Sequence, residues 1–175
     1  AVDMDENEVL YLVYLKQIDS TTWRLYRTRS TDQGMTWESP ISVSTGNRRD
    51  PEIACGGGGR QYISYVLDDS TVGIVSYVNW TPQTFVEVET DADYEYTTSI
   101  AASRSSSTPT AWCFYRHYHS STNMYDIHYA YTTDGGSNWT YGVWPPMNFA
   151  YGDVRYPWVE TKIDYPSNIC GALGT

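Results

Sequence analysis

Short apolar runs alternate with polar turns along the whole chain, and no helical recurrence of apolar residues at i, i+3, i+4 and i+7 interrupts them. The run Val9-Leu10-Tyr11-Leu12-Val13-Tyr14 recurs in character as Gln61-Tyr62-Ile63-Ser64-Tyr65-Val66 and as Ala111-Trp112-Cys113-Phe114-Tyr115. Successive copies lie roughly 50 residues apart, the spacing of one propeller blade. Each copy is followed by a second strand, at 22–29, 71–78 and 125–132, and preceded by another, at 51–55, 98–102 and 157–161. Outer strands at 40–44 and 84–89 bring the count to four per unit, named A (innermost) to D (outermost).

The phase of the repeat predicts units at 1–53, 54–101 and 102–160, with a partial fourth from 161. Residues 1–3 match the tail of an A strand, as Ile53-Ala54-Cys55 and Ile100-Ala101-Ala102 do before the other B strands. Pro166 stands four before Cys170, as Pro109 stands four before Cys113, so a further B strand is under way at the end. A ring needs about four to eight blades, and open sheet edges invite pairing. The expectation is a segment completed by further blades of the same parent chain or by a second copy.

Composition narrows the class. The 175 residues include 17 Tyr and 7 Trp, which suit pleated, half-buried surfaces and an all-β fold. Eleven Lys and Arg against 21 Asp and Glu give a net charge of -10, which repels a phosphate backbone and argues against nucleic acid. No apolar run is long enough to span a bilayer as a helix. Cys55, Cys113 and Cys170 lack the C-x-x-C spacing of zinc sites and redox dithiols, and are expected as buried thiols, with one disulfide as the alternative.

Two turns carry a more specific pattern. Ser30-Thr31-Asp32-Gln33-Gly34-Met35-Thr36-Trp37 fits S-x-D-x-G-x-T-W throughout, and Thr132-Thr133-Asp134-Gly135-Gly136-Ser137-Asn138-Trp139 fits it with Thr132 and Asn138 as variants. Both fall between a C and a D strand, whereas the middle unit keeps only Trp80. The chemistry is structural: a short carboxylate accepts backbone N–H bonds, glycine supplies positive φ, and tryptophan is a plug over the hairpin.

On these residues the chain resembles bacterial sialidases and the wider set of Asp-box repeat proteins. The resemblance implies a sialidase-type β-propeller of about three four-stranded blades, with the Asp-box turns at the periphery, away from the binding cleft. It also draws attention to the A-strand starts, where Arg49-Asp50-Pro51-Glu52-Ile53 and Arg155-Tyr156-Pro157-Trp158-Val159 share R-x-P-x-(I/V). Sialidases carry a similar R-I-P motif whose arginine grips the substrate carboxylate, a task that suits the planar guanidinium fork. The resemblance thus implies Arg49 and Arg155 at the channel mouth, flanked by Tyr156 and Trp158. The alternative is that both arginines brace blades against Asp50 and Asp153.

A retaining sialidase uses a tyrosine nucleophile, a glutamate and an aspartate. Tyr96 with Glu95, and Asp68 or Asp69, are the candidates on the corresponding face, none within a specific motif. His117 and His119 are expected on an exposed polar rim, and His128 inside a strand. Asp3, Asp5, Asn7 and Glu8 hold the residue types of a calcium loop without its glycine and terminal glutamate, and a turn into the first B strand explains them equally. No cofactor is called for, and no metal ligand is assigned. Asn79 and Asn138 head N-x-T sequons by pattern. Gly56-Gly57-Gly58-Gly59 lacks the lysine and helix of a phosphate loop and is expected as an A-to-B hairpin tip.

The function expected is a secreted or cell-surface module that binds glycan or an extracellular protein through its aromatic and arginine-lined face. An exo-sialidase whose remaining site lies in other blades is one alternative, and a structural module of an extracellular assembly is another.

Overall fold

A computed structural model describes residues 1–68, 71–89, 94–119, 124–144, 156–161 and 169–174. Among them are fourteen strands and no helix. The first sheet holds β1 (Val2–Met4), β2 (Leu10–Gln17), β3 (Trp23–Ser30) and β4 (Ile41–Ser44). The second holds β5 (Arg48–Gly56), β6 (Arg60–Leu67), β7 (Thr71–Val78) and β8 (Thr81–Glu89). The third holds β9 (Tyr94–Ala102), β10 (Ala111–His119), β11 (Met124–Thr132) and β12 (Thr140–Val143), and β13 (Tyr156–Thr161) pairs with β14 (Ile169–Gly174). Every pairing is antiparallel between chain neighbours.

This order puts the A-to-B and C-to-D connections of every sheet on one face and the B-to-C and D-to-A connections on the other. β5 lies against β9, and β9 against β13, so the first strands of the sheets gather at the inside.

Burial follows the pleat. Tyr62 and Ile63 are successive on β6 and face opposite ways. Ile63 joins Tyr11, Val13 and Leu25 of the first sheet, while Tyr62 joins Ile100, Cys113, Tyr115 and Ala130 of the third. The middle sheet is therefore covered on both faces, which is why β6 and β7 are buried almost end to end whereas β2 alternates. Each fully buried Val, Leu or Ile of these interfaces contributes about 1.5–3 kcal/mol.

The two aspartate corners are superimposable in their bonding. Ser30 Oγ donates to Asp32 Oδ1 at 2.7 Å and accepts from Gly34 N at 2.8 Å. Asp32 Oδ1 accepts from Thr36 N at 2.8 Å, and Oδ2 accepts from Thr36 Oγ1. In the third sheet Thr132 Oγ1 donates to Asp134 Oδ1 at 2.8 Å and accepts from Gly136 N at 3.0 Å. Asn138 then reproduces both threonine bonds, from its N at 3.0 Å and its Nδ2 at 2.7 Å. Gly34 and Gly136 take φ of 90° and 93°, the left-handed region that glycine tolerates.

The middle sheet turns instead on Asn79 and Trp80 alone, at φ 48° and 65°. Two positive-φ residues between paired strands are a type I′ hairpin, in which tryptophan is strained. Packing offsets the strain. Trp80 meets Tyr11 at 4.9 Å between centroids, Arg27 lies 4.2 Å over its ring, and Arg27 Nη1 donates to its carbonyl at 2.8 Å. Trp139 likewise meets Tyr62 edge-on at 6.1 Å. These corner tryptophans reach to the preceding sheet rather than only plugging their own hairpin, because that sheet offers a tyrosine within reach. Trp37 is 40 % exposed.

The glycine run is the hairpin tip from β5 to β6, and a Cβ on Gly57 would fall 2.0 Å from the Arg104 carbonyl oxygen. Cys55 and Cys113 are buried free thiols, and burial pushes the Cys113 thiol up to about 12. The side chain of Cys170 lies outside the description. His128 is packed, and His117 corrects the expected exposed rim: it is 1 % exposed and stacks on His128 at 4.3 Å. β10 continues as a strand to His119 and pairs His117 with Asp126, so His117 lies within a paired ladder rather than on a loop; the side chain of His119 is outside the described residues.

Candidate functional site

The D-to-A and B-to-C connections form the rim on which the sequence candidates were placed. The loop from β2 to β3 is built on Asp19, whose Oδ1 accepts from Thr21 N at 3.0 Å and Thr22 N at 2.9 Å. These bonds, the Thr21 backbone bond first, hold its carboxyl below the usual range. The loop delivers Trp23 to the rim, where its N donates to Asn47 Oδ1 at 3.2 Å. Asn47 also accepts on its carbonyl from Asp68 N at 3.3 Å and Arg48 Nη1 at 2.8 Å. One asparagine thereby ties the rims of two sheets together.

The two arginines that follow separate in role. Arg48 is buried, donates from Nε to Ser44 Oγ at 2.8 Å, and lies 3.5 Å from Asp68 Oδ2. Arg48 thus links the rims of blades 1 and 2, and Arg49 acts on the neighbouring Asp50 carboxylate. Arg49 is exposed, and with Trp23, Asn47, Ser20 and Thr21 it lines a cleft of about 350 Å³ floored by Leu15. Trp23 is 42 % exposed. The indole beside Arg49 was missed in the sequence, where it looked like the first apolar residue of a strand.

Next to this cleft the backbone is irregular. Asp50 sits at φ 42°, within the register shift between Arg49 and Glu52. A bulge re-aims side chains, and non-glycine residues in this region are uncommon. Here Asp50, Pro51 and Glu52 line a second cleft of about 560 Å³ with Thr97 and Thr98 of β9 and residues 12–15 of β2. Thr98 fixes its wall, donating to the Asp50 carbonyl at 3.0 Å and accepting from Ser64 Oγ at 3.0 Å. Desolvation raises both carboxyls above their ordinary range. Although much of Asp50 meets solvent, partial burial outweighs the opposing pull of Arg49 and Arg116. For Glu52 burial comes first, the chain's amino terminus pulls it down, and Asp50 raises it further.

Asp68 lies on the rim at φ 45°, against Arg48, and is largely exposed. Glu95 and Tyr96 lie on β9, with the Glu95 backbone opposite His117. Tyr156 and Trp158 lie on β13, opposite Gly174 and Ala172. The side chains of these four, and Asp69 and Arg155 altogether, are outside the described residues. On the opposite face Asp5 Oδ1 accepts from Asn7 N at 2.9 Å and Val9 N at 3.0 Å, and Asp3 Oδ2 accepts from Cys55 N at 2.6 Å. The residue types that suit calcium are engaged in the turn. Among the described residues no group of three His, Cys, Asp or Glu is placed to hold a metal ion.

No family model matches the chain, and no curated protein matches it. Among solved structures, Hadza microbial sialidase Hz136 superimposes over 91 % of this chain with a TM-score of 0.56 and 14 % identity. The fold is that of a sialidase-like β-propeller. This chain spans 32 % of the length of that sialidase, and its three four-stranded sheets are blades of a ring they do not close. The propeller assignment identifies the rim of blades 1 and 2, with Trp23, Arg49, Asp50 and Glu52, as the face on which the B-to-C and D-to-A connections emerge.

Proposed function

We propose that this propeller segment is a glycan-binding module of a secreted or cell-surface protein, working at the rim between blades 1 and 2. The observation that carries the reading is an exposed indole and an exposed guanidinium on one cleft, Trp23 and Arg49. An aromatic face covers the apolar face of a sugar ring, and a guanidinium grips an acidic substituent through its planar fork. Arg155, Tyr156 and Trp158 extend the same rim in this reading. Further blades, from the parent chain or a second copy, are the expected structural partners. An extracellular protein is the alternative ligand.

A glycan array of acidic and neutral sugars tests the proposal. Binding that falls at least tenfold in both Trp23→Ala and Arg49→Ala supports it, and silence toward every sugar refutes it. The likeness to a solved sialidase favours one second reading, an exo-sialidase with the rest of its site in other blades. Turnover of a fluorogenic sialoside by the complete parent protein, lost in Arg49→Ala, would establish that reading, and no turnover would remove it.

A further inference from the structure

Two Asn-x-Thr sequons stand at corresponding corners, Asn79-Trp80-Thr81 in the second sheet and Asn138-Trp139-Thr140 in the third, and the structure separates them. Both asparagines are exposed, on the face opposite the rim. At Asn138 the carboxamide is part of the aspartate corner, with Nδ2 donating to Asp134 Oδ2 at 2.7 Å and the backbone N donating to Oδ1 at 3.0 Å. At Asn79 the backbone N donates to the Gly59 carbonyl at 2.7 Å, and among the described residues the carboxamide makes no hydrogen bond. Its Oδ1 is the inward atom. A Cβ on Gly59 would fall 2.2 Å from it, so the bare glycine makes the space and Nδ2 is turned away. Trp80 fixes this arrangement: its N donates to Gln61 Oε1 at 3.2 Å and its ring is seated against Tyr11 and Arg27, which holds Asn79 on the solvent side of the turn.

We propose, resting on the secreted or cell-surface reading above, that Asn79 is an acceptor for an N-linked glycan and that Asn138 is not. The donor class is an oligosaccharide carried on a lipid pyrophosphate. The bond from the sugar's anomeric carbon to the pyrophosphate oxygen breaks, and its electron pair leaves with the lipid pyrophosphate. The anomeric carbon bonds to Nδ2, which gives up one proton. Thr81, exposed beside the turn, supplies the hydroxyl of the sequon. At Asn79 this transfer disturbs no existing bond, whereas at Asn138 it places a sugar on the nitrogen that holds Asp134. A glycan on Asn79 stands on the C-to-D face and leaves the B-to-C and D-to-A rim open.

Mass spectrometry of the parent protein, isolated by fraction from its own cells, tests the inference, because trypsin puts the two sequons on separate peptides, 61–104 and 117–155. Treatment with a peptide-N-glycosidase in heavy-oxygen water marks each former attachment site as a labelled aspartate. The expected result is label on Asn79 in most extracellular copies, about tenfold or more above Asn138, and its loss in Thr81→Val with the circular dichroism unchanged. Extracellular protein without label on Asn79, or with equal label on both asparagines, overturns the inference and leaves the secreted reading standing. Protein confined to the cytosol overturns both.

Discussion

At the residue scale, Asp32 and Asp134 show how three side-chain and backbone donors can be satisfied by one short carboxylate. Hydrogen bonds lower both acids to about 2, led by the Thr36 hydroxyl for Asp32 and by the Asn138 backbone for Asp134. A folded-state value below the unfolded one of about 3.9 stabilises the fold fully above that pH, and the contribution drains away as pH falls toward 2. We therefore expect the melting temperature to drop between pH 4 and pH 2, and the drop to be shallower in an Asp32→Asn, Asp134→Asn double variant, as followed by thermal circular dichroism. Asn138→Thr should change stability by less than about 0.5 kcal/mol, because Thr36 makes the same two bonds, whereas Asn138→Ala should cost about 1 kcal/mol. These corners were legible in the sequence because every participant lies within seven positions. Trp23, Glu52, Thr97 and Thr98 were not, because the clefts they line join strands that are distant along the chain.

At the element scale, the hairpin from β7 to β8 depends on a neighbour. Trp80 occupies a left-handed position and is 7 % exposed, packed by Tyr11, Tyr77 and Arg27. Trp80→Ala should cost about 3–5 kcal/mol in chemical denaturation, and Trp37→Ala, at an exposed corner, about 1 kcal/mol. Gly57→Ala should cost about 1–3 kcal/mol through its clash with the Arg104 backbone. Strand identity followed from apolar runs and turn residues, and three B strands stand where the repeat put them. The A strands begin earlier than their apolar residues do, at Arg48 and Tyr94 rather than 51 and 98, because register shifts let polar residues join the ladder. His117 was misjudged for a related reason: a strand carries its alternation past the point where the sequence turns polar.

At the scale of the whole molecule, each blade uses the next one as its cover. Trp112 faces outward from blade 3 as Tyr11 and Tyr62 face the following blades, and it stacks with Tyr131 at 4.7 Å and lies near the exposed Trp144. Among the described residues no corner tryptophan seats on it, and Trp37 is 40 % exposed. Light scattering of the 175-residue chain should show concentration-dependent self-association through these surfaces, and a stable, well-folded monomer would contradict a need for further blades. The radial arrangement was legible from the 50-residue period, while the inter-blade seats were not, since a period says where units begin and not what they touch. The two faces divide the work in this proposal, with ligand at the B-to-C and D-to-A rim and structure at the aspartate corners. Hydrogen–deuterium exchange with and without a bound oligosaccharide tests it most directly. Protection confined to peptides covering 18–23 and 45–52 is the predicted result, and protection at 31–37 and 133–139 with the rim unchanged would contradict it.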